Sequence, residues 1–408
     1  MAPVDTTTLN TQQPTAQVPI AQPLSLDEVE QLTRWRRDLH AAPELSLHEH
    51  DTQAYVRKAL LDIGFSQVDT LGGTGLVVRL GLGTSPQCLL LRADMDALPV
   101  HELTSLPFAS RTPGRMHACG HDGHMAILLA VARRMFAHAQ DISGTVVLAF
   151  QPAEEIGRGA LAMIEDGLLE RPKVDHALGL HLWTGLATGV VSAVPGPVMA
   201  AVDEFTVTVR GRGGHGALPH TAIDPIVAAA AVVQALQTIA SRRTDPLDPV
   251  VVTVGSIHGG TAFNVVADEV VLRGTVRSFS KVLAERLPGL LDEVACAAAA
   301  AHGATAETAY NRHTIALHND PATTRWVARS AASALGVTAV DDQMRMMAGE
   351  DMAYVLDRVP GCFFFVGCGG EGAEPHHSPR FRIDEAALPV GAQVMLAAVA
   401  AYFTAEGP

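Results

Sequence analysis

Cysteine is scarce in this sequence. Cys88, Cys119, Cys296, Cys362 and Cys368 are the only five in 408 residues. They are odd in number and scattered, which excludes a disulfide framework and points to a reducing, cytoplasmic setting. Basic charge is short as well: 29 Lys and Arg against 43 Asp and Glu leave a net charge of −14. Nucleic acid and anionic membrane are thereby excluded as natural partners, because both are bound through clustered cations. A small anionic substrate stays open, since one buried Arg can hold one carboxylate. No apolar run is long enough to span a bilayer, the Ala-rich stretch 226–236 being too short. No cationic segment followed by an apolar run marks a secretory leader. Internal repeats are absent. Gly259-Gly260 lacks the Lys and Ser/Thr of a phosphate loop. Residues 1–24, rich in Thr, Gln and Pro, read as a disordered tail.

What is present is enough apolar content, 48%, for a large core, and a length that suits two domains. Helix and strand patterns alternate from residue 25. Leu26–His40 reads as a helix with Ser25 as its N-cap and Asp27 and Glu28 in the first turn. Thr52–Leu61 reads as a second, closed by Gly64, and His121–His138 as a third. Leu76–Leu80, Cys88–Leu91, Val146–Phe150 and Ala177–Leu180 read as strands. This alternation predicts an α/β fold with a mainly parallel sheet covered by helices. Beyond Pro195-Gly-Pro197 the texture changes. A strand at Phe205–Val209, a helix over 222–240, strands at Val250–Ile257 and Val270–Val276, a helix over 283–301 and a strand at Thr305–Tyr310 follow. That β-α-β-β-α-β order predicts a four-stranded, ferredoxin-like α+β domain with two helices on one face. The expected division is residues 25–197 for the first part of the main domain, 198–313 for the inserted domain, and 314–408 for the return. The return holds a helix at Val327–Leu335, a strand at Cys362–Val366 and a helix at Glu385–Ala400.

The chemistry concentrates in Met116-His-Ala-Cys-Gly-His-Asp-Gly-His124. Cys119 and His121 are good ligands for a borderline-soft metal such as zinc. Cys119 precedes a helix, where the dipole and free N–H groups favour a thiolate. Glu154-Glu155, His181 and the pair His376-His377 offer further donors, enough for two ions. Arg92-Ala-Asp-Met-Asp96, Gln151-Pro-Ala-Glu-Glu155 and His181 each follow a predicted strand, as site residues do in open α/β sheets. In extended backbone, adjacent Glu154 and Glu155 would point oppositely, so one could bind metal while the other acted as general base on a metal-activated water. Asp94 would orient a ligand imidazole. His124, one turn from His121, could compete as ligand, though a supporting role suits it better; His117 and His376 stay open between these roles.

These motifs resemble the M20 metallopeptidase family, in particular its amidohydrolase branch of hippurate hydrolases, N-acyl-amino-acid amidohydrolases and auxin-conjugate hydrolases. The resemblance runs from about residue 30 to 395. Besides the motifs above it includes Arg37-Asp-Leu-His40, Pro43-Glu44, Gly213-Gly-His-Gly-Ala-Leu-Pro-His220, Gly259-Gly-Thr-Ala-Phe-Asn264, Gly274-Thr-Val-Arg277, Gly349-Glu-Asp351 and His377-Ser-Pro379. It implies Cys119, His121, Glu155, His181 and His377 as ligands of two divalent ions per subunit, zinc foremost with manganese, cobalt or nickel as alternatives. It selects His377 over His376 by its place two residues before Pro379, and assigns Glu154 as the base. It further implies a zinc-peptidase-like catalytic domain with an inserted lid and dimerisation domain. The implied homodimer, or higher oligomer, would bring His215 into the partner's site to stabilise an oxyanion. Asn264 and Arg277 would bind the substrate, Arg277 through an α-carboxylate. The substrate would be a small N-acyl amino acid, or a short peptide if the enzyme is a dipeptidase or carboxypeptidase. Arg92 stands where the wider family carries a metal-binding His, and Cys119 near the position of a bridging Asp, both as in the amidohydrolase branch. A non-catalytic binding protein, or a redox sensor acting through Cys119, is the rival of a different class.

Overall fold

Two sheets, an eight-stranded one and a four-stranded one, organise the chain, and the computed structural model describes residues 19–404 except 82. The expected tail 1–24 falls outside the described residues up to residue 18. The remainder of that expectation is corrected: Ile20 is buried, Gln393 donates to the Ala21 carbonyl, and Arg134 donates to the Gln22 and Pro23 carbonyls.

The first helices, α1 (Leu26–His40) and α2 (His50–Ile63), precede the sheet. α1 opens with a capping box in which Ser25 and Glu28 satisfy each other's backbone N–H groups. Then come β1 (Asp69–Leu71), β2 (Gly75–Leu80), β3 (Cys88–Asp94), α3 (His121–Ala137), β4 (Thr145–Gln151), α4 (Gly159–Glu165), β5 (His176–Ala187), β6 (Val191–Ser192) and β7 (Gly196–Met199). The inserted part holds β8 (Ala201–Arg210), β9 (Gly214–His215), α5 (Pro225–Thr238), β10 (Val250–Gly259), β11 (Val265–Val266), β12 (Glu269–Ser278), α6 (Lys281–Ala300) and β13 (Thr305–Thr314). The chain returns through β14 (Leu317–Asn319), α7 (Pro321–Leu335), β15 (Val340–Asp341), α8 (Ala353–Leu356), β16 (Gly361–Gly369) and α9 (Ala387–Tyr402).

The large sheet has the order β1-β2-β4-β3-β5-β16-β6-β15. Its centre, β4, β3, β5 and β16, is parallel; β2 and β6 run antiparallel to that centre, β1 antiparallel to β2, and β15 parallel to β6. β3 reads Cys-Leu-Leu-Leu-Arg-Ala-Asp and every residue is buried, as a strand covered on both faces requires. One face packs on α1, α2, α3, α7 and α9 through residues such as Leu32, Val56, Leu128, Trp326 and Leu396. The other packs on α4, α8, β7 and β14 through Met163, Val355, Val198 and Leu317. The small sheet, β10-β12-β8-β13, is antiparallel throughout and carries α5 and α6 on one face around Phe205, Val232 and Leu287. β7 and β14 pair antiparallel where the chain enters and leaves it.

Several boundaries differ from the sequence reading. α5 starts at Pro225 because Asp224 caps it and Ile223 is already paired with Arg212. It also runs on through a π-helical turn to Arg243, making a 19-residue apolar helix, so shortness does not set it apart from a membrane span. Its Ala228, Ala229, Val232 and Leu236 are instead buried on the small sheet. α7 starts at Pro321 behind an Asp320 cap, six residues before Val327. β5 continues past His181 to Ala187. Arg92 pairs with Gly179, so His181 lies level with Asp94 at the carboxyl end of β3. The site residues therefore do gather at strand ends, with β5 the strand that runs beyond them.

Candidate metal centre

Gly120, in a left-handed conformation at φ 91°, caps α3. This turn places Cys119 just before the helix and His121 at its first residue. Across from them Gln151 ends β4 and the chain turns sharply. Ala153 adopts φ 52°, and its N–H is held by the buried Glu49 carboxylate at 2.9 Å. The N–H groups of Glu154 and Glu155 both point to Asp96, each at 3.0 Å, one to each carboxylate oxygen. The two glutamates thus lie in a turn, which corrects the extended geometry expected from sequence. Their carboxylates do not point oppositely: Glu154 Oε2 and Glu155 Oε1 lie 4.0 and 3.9 Å from the same His121 Nε2. They diverge further out, where Glu155 reaches toward Cys119 and His377, and Glu154 toward Glu350 and Asp351.

Cys119, His121 and His181 converge on one point, and Cys119, Glu155 and His377 on another, with the thiol common to both. Cys119 Sγ is 3.4 Å from His181 Nε2, and Glu155 Oε2 is 3.8 Å from His377 Nε2. Donors around a tetrahedral ion with bonds of roughly 2.0–2.3 Å stand about 3.3–3.8 Å apart. The outer nitrogens of two imidazoles are already engaged: His121 Nδ1 by the Asp96 carbonyl and His181 Nδ1 by the Leu182 carbonyl, both at 2.8 Å. This fixes the tautomer that leaves Nε2 free as a ligand. Among the buried atoms without a hydrogen-bond partner are His121 Nε2 and Glu155 Oε1, both turned toward these donors, where a cation would satisfy them. His377 is held by its N–H to the Ala118 carbonyl and adopts φ 66°, a conformation that costs energy in a non-glycine residue. These donors fit two divalent cations.

His124 does not compete. Its Nδ1 meets Asp94 Oδ1 at 2.6 Å and its Nε2 accepts the Leu182 N–H at 2.9 Å, so no lone pair is left. The expected role of Asp94 is corrected accordingly, because the imidazole it orients is His124 and not a member of the donor set. Asp94 also receives Arg92 at 2.7 Å. His376 stacks on Trp183 with ring centroids 4.1 Å apart and puts Nε2 on the Leu182 carbonyl, away from the donors. His117 is buried with neither ring nitrogen bonded.

Charge around the centre is one-sided. The buried Arg92 is surrounded by Gln151, Asp94, Glu350 and Asp351 at 2.7–3.0 Å. One guanidinium stands against Asp94, Glu154, Glu350 and Asp351. Burial, then the charges of Glu350 and Glu155, pushes Glu154 well above the usual carboxylate range. Burial likewise raises Glu155 to about 7, against the pull of His121. Asp94, despite burial, is held well below its usual value by His121, His124 and Arg92. Two cations would offset this excess of buried acid. Sequence reasoning gave no role to Asp96, Glu350 or Asp351. Their motifs were visible, but nothing local says that Asp96 anchors a turn nearly sixty residues away.

The donors form one wall of a cleft of about 630 Å³. The opposite wall comes from the small sheet and includes Val202, Asp203, Thr275 and Arg277. Arg277 is half-buried, donates to Thr275 Oγ1 at 3.1 Å and to the Met347 carbonyl at 3.2 Å, and has no carboxylate within ion-pair distance among the described residues. His215 and Asn264 are not brought to this cleft. His215 pairs with Val265 in the β9–β11 ladder, both His215 and Asn264 are exposed, and neither lines the cavity.

The chain matches known proteins over most of its length. The profile of peptidase family M20/M25/M40 matches residues 90–401. N-acetyl-L-cysteine deacetylase of Bacillus subtilis (strain 168) is 41% identical over 367 residues, covering 90% of this chain and 87% of that protein. IAA-amino acid hydrolase ILR1-like 4 of Arabidopsis thaliana is 39% identical over 369 residues, covering 88% and 82%. The solved structure of the Bacillus subtilis YXEP protein, described as a dinuclear metal binding peptidase from the M20 family, matches with a TM-score of 0.81 at 33% identity, covering 92% of this chain and 98% of that one.

Proposed function

We propose that this chain, which belongs to peptidase family M20/M25/M40 and is a hydrolytic enzyme, cleaves the amide bond of small N-acyl amino acids. The observation that carries this reading is the cleft itself. Four donors meet around a shared thiol on one wall, and an Arg without a carboxylate partner faces them from the other. Cys119, His121 and His181 would hold one divalent ion, and Cys119, Glu155 and His377 a second. The thiolate favours zinc, with manganese, cobalt or nickel as alternatives. When bound, such ions supply Lewis-acid activation of the attacking water and of the amide carbonyl.

The chain's own groups do the rest. Glu154, whose carboxyl is raised by its buried surroundings, accepts the proton of the attacking water and delivers it to the departing amine. Arg277 pairs with the α-carboxylate, which orients the scissile bond toward the donors. His215 and Asn264, exposed here, act in the partner's cleft of a homodimer, where His215 donates to the developing oxyanion. The inserted residues 198–313 serve as lid and dimerisation surface, and the enzyme works in the cytoplasm, where five free cysteines remain reduced. Relatives named for N-acetyl-L-cysteine and for an indole-acid conjugate favour an acyl amide over a peptide as substrate. The peptidase name of the YXEP structure favours a second reading, a dipeptidase, which a panel of hippurate, acetyl-amino acids and dipeptides separates.

Glu154→Gln tests the proton-transfer role. It should lower kcat on the order of 10²–10⁴-fold while elemental analysis still finds both metal equivalents. Full activity in the variant would remove Glu154 from the mechanism.

A further inference from the structure

Behind the metal-bearing turn lies a buried ionic cluster with no part in the chemistry above. It joins Arg36 and His40 of α1, Glu102 of the connection between β3 and α3, and Asp122, the second residue of α3. His40 is fully buried. Its Nδ1 lies 2.8 Å from Asp122 Oδ2 and its Nε2 3.3 Å from Glu102 Oε1. Ionised carboxylates only accept hydrogen bonds, so an imidazolium with hydrogen on both ring nitrogens satisfies both contacts, although the Arg36 guanidinium, with Nη2 3.5 Å from Nδ1, opposes its charge. Burial opposes that charge, yet the charge and hydrogen bond of Asp122, with the hydrogen bond to Glu102, outweigh it and raise the pKa.

Each carboxylate is itself anchored. Asp122 Oδ2 also takes Arg36 Nε at 2.8 Å. Glu102 takes the Ser110 N–H at 2.6 Å and the Thr104 hydroxyl. His40 therefore ties three separate pieces of chain together. One is the long connection 95–120, which contains no helix or strand and whose last residues include Cys119. Another is the first turn of α3, where Asp122 directly follows His121. A connection of that length without secondary structure takes its position from such ties. The cluster also takes in His40 of the motif Arg37-Asp-Leu-His40, to which the proposed mechanism gives no role.

We propose that His40, doubly protonated between Asp122 and Glu102, is a positioning residue that sets the metal-bearing turn Cys119–His121. The proposal rests on the reading of that turn as a metal site. It goes beyond it by placing the control of metal binding in a group that touches neither metal donor nor substrate.

The test compares His40→Gln and His40→Phe with Cys119→Ala and the wild type. Zinc affinity is measured by chelator competition on folded protein, and imidazole ¹⁵N spectra are recorded on the metal-loaded wild type, with His40 assigned from its loss in His40→Gln. The expected result is a doubly protonated His40 at pH 7 and zinc affinity roughly 10–100-fold weaker in the His40 variants, the range found when residues supporting metal ligands are removed. A neutral His40 tautomer at pH 7 overturns the proposal, and this spectrum decides even if His40→Phe does not fold. So does affinity within twofold of wild type in the His40 variants while Cys119→Ala loses it. If Cys119→Ala also binds zinc normally, the metal-site reading fails, and the proposal with it.

Discussion

Cys119 shows why the donor set must be read as a group. Burial, and next the charge of Glu155, pushes its thiol well above the usual range, with His121 pulling the other way. Alone it would be a buried hydrophobe; as a ligand it needs cations close enough to hold the thiolate. Arg277 poses the complementary case, a cation without an anion. If it receives the α-carboxylate, Arg277→Ala should raise KM for an N-acyl amino acid by roughly 10–100-fold, the worth of a charge-assisted hydrogen bond, and leave KM for the matching N-acyl amine unchanged. Equal effects on both substrates would make Arg277 a structural residue. At this scale much was legible from sequence, because Cys119, His121, Glu155, His181 and His377 sit in compact motifs. What was not legible depended on contacts across the fold. His124 is ruled out by an N–H from Leu182 and a carboxylate from Asp94, and neither pairing follows from its i+3 spacing to His121.

Elements carry the site through a few specific ties. The turn after β4 bends because Asp96 and Glu49 collect the N–H groups of residues 153–155, and that bend turns both glutamates toward His121. Local sequence, an apolar strand followed by Gln-Pro-Ala-Glu-Glu, suggested extended backbone and could not show the distant carboxylates. α1 was read to the residue, since its cap, acidic first turn and apolar spacing are all local. That helix is clamped to α3 by Glu28, which receives Arg134 Nη2 at 2.6 Å and Nε at 2.7 Å. Burial opposes the Glu28 carboxylate, but the hydrogen bonds from Arg134 and Ser25 bring its pKa down to about 2 from 4.5. A depressed carboxylate contributes stability that is complete above the unfolded value and is lost as pH falls. Acid should therefore weaken the protein progressively between pH 4.5 and about 2 through this group. Glu28→Gln should flatten that part of the stability–pH curve in denaturant melts of metal-free protein. An unchanged slope would show that the clamp is not what acid releases.

At the level of the whole molecule, the inserted residues present two groups of side chains that face different ways. Arg277 and Thr275 on β12 close the cleft of their own chain, while His215 and Asn264 stand exposed on the β9–β11 side. The β-α-β-β-α-β order made the four-stranded sheet readable from sequence, and the alternation Phe-Thr-Val-Thr-Val over residues 205–209 shows which side chains of β8 are buried. The short strands β6 and β15, toward one edge of the large sheet, escaped notice because two residues carry no period. If His215 serves the partner's cleft, subunits of inactive His215→Ala and inactive Glu154→Gln should regain activity when mixed and exchanged, since one cleft in the hybrid dimer has both groups intact. Mixtures that stay inactive after proven exchange would assign His215 to its own chain. All of this presupposes a pair of cations at the cleft wall. The most direct test is anomalous diffraction at the zinc edge from crystals grown with excess zinc. The account predicts two peaks roughly 3.5–4 Å apart, both within bonding distance of Cys119 Sγ, with His121 and His181 on one and Glu155 and His377 on the other. A single peak, or two peaks that leave Cys119 unbound, would contradict it.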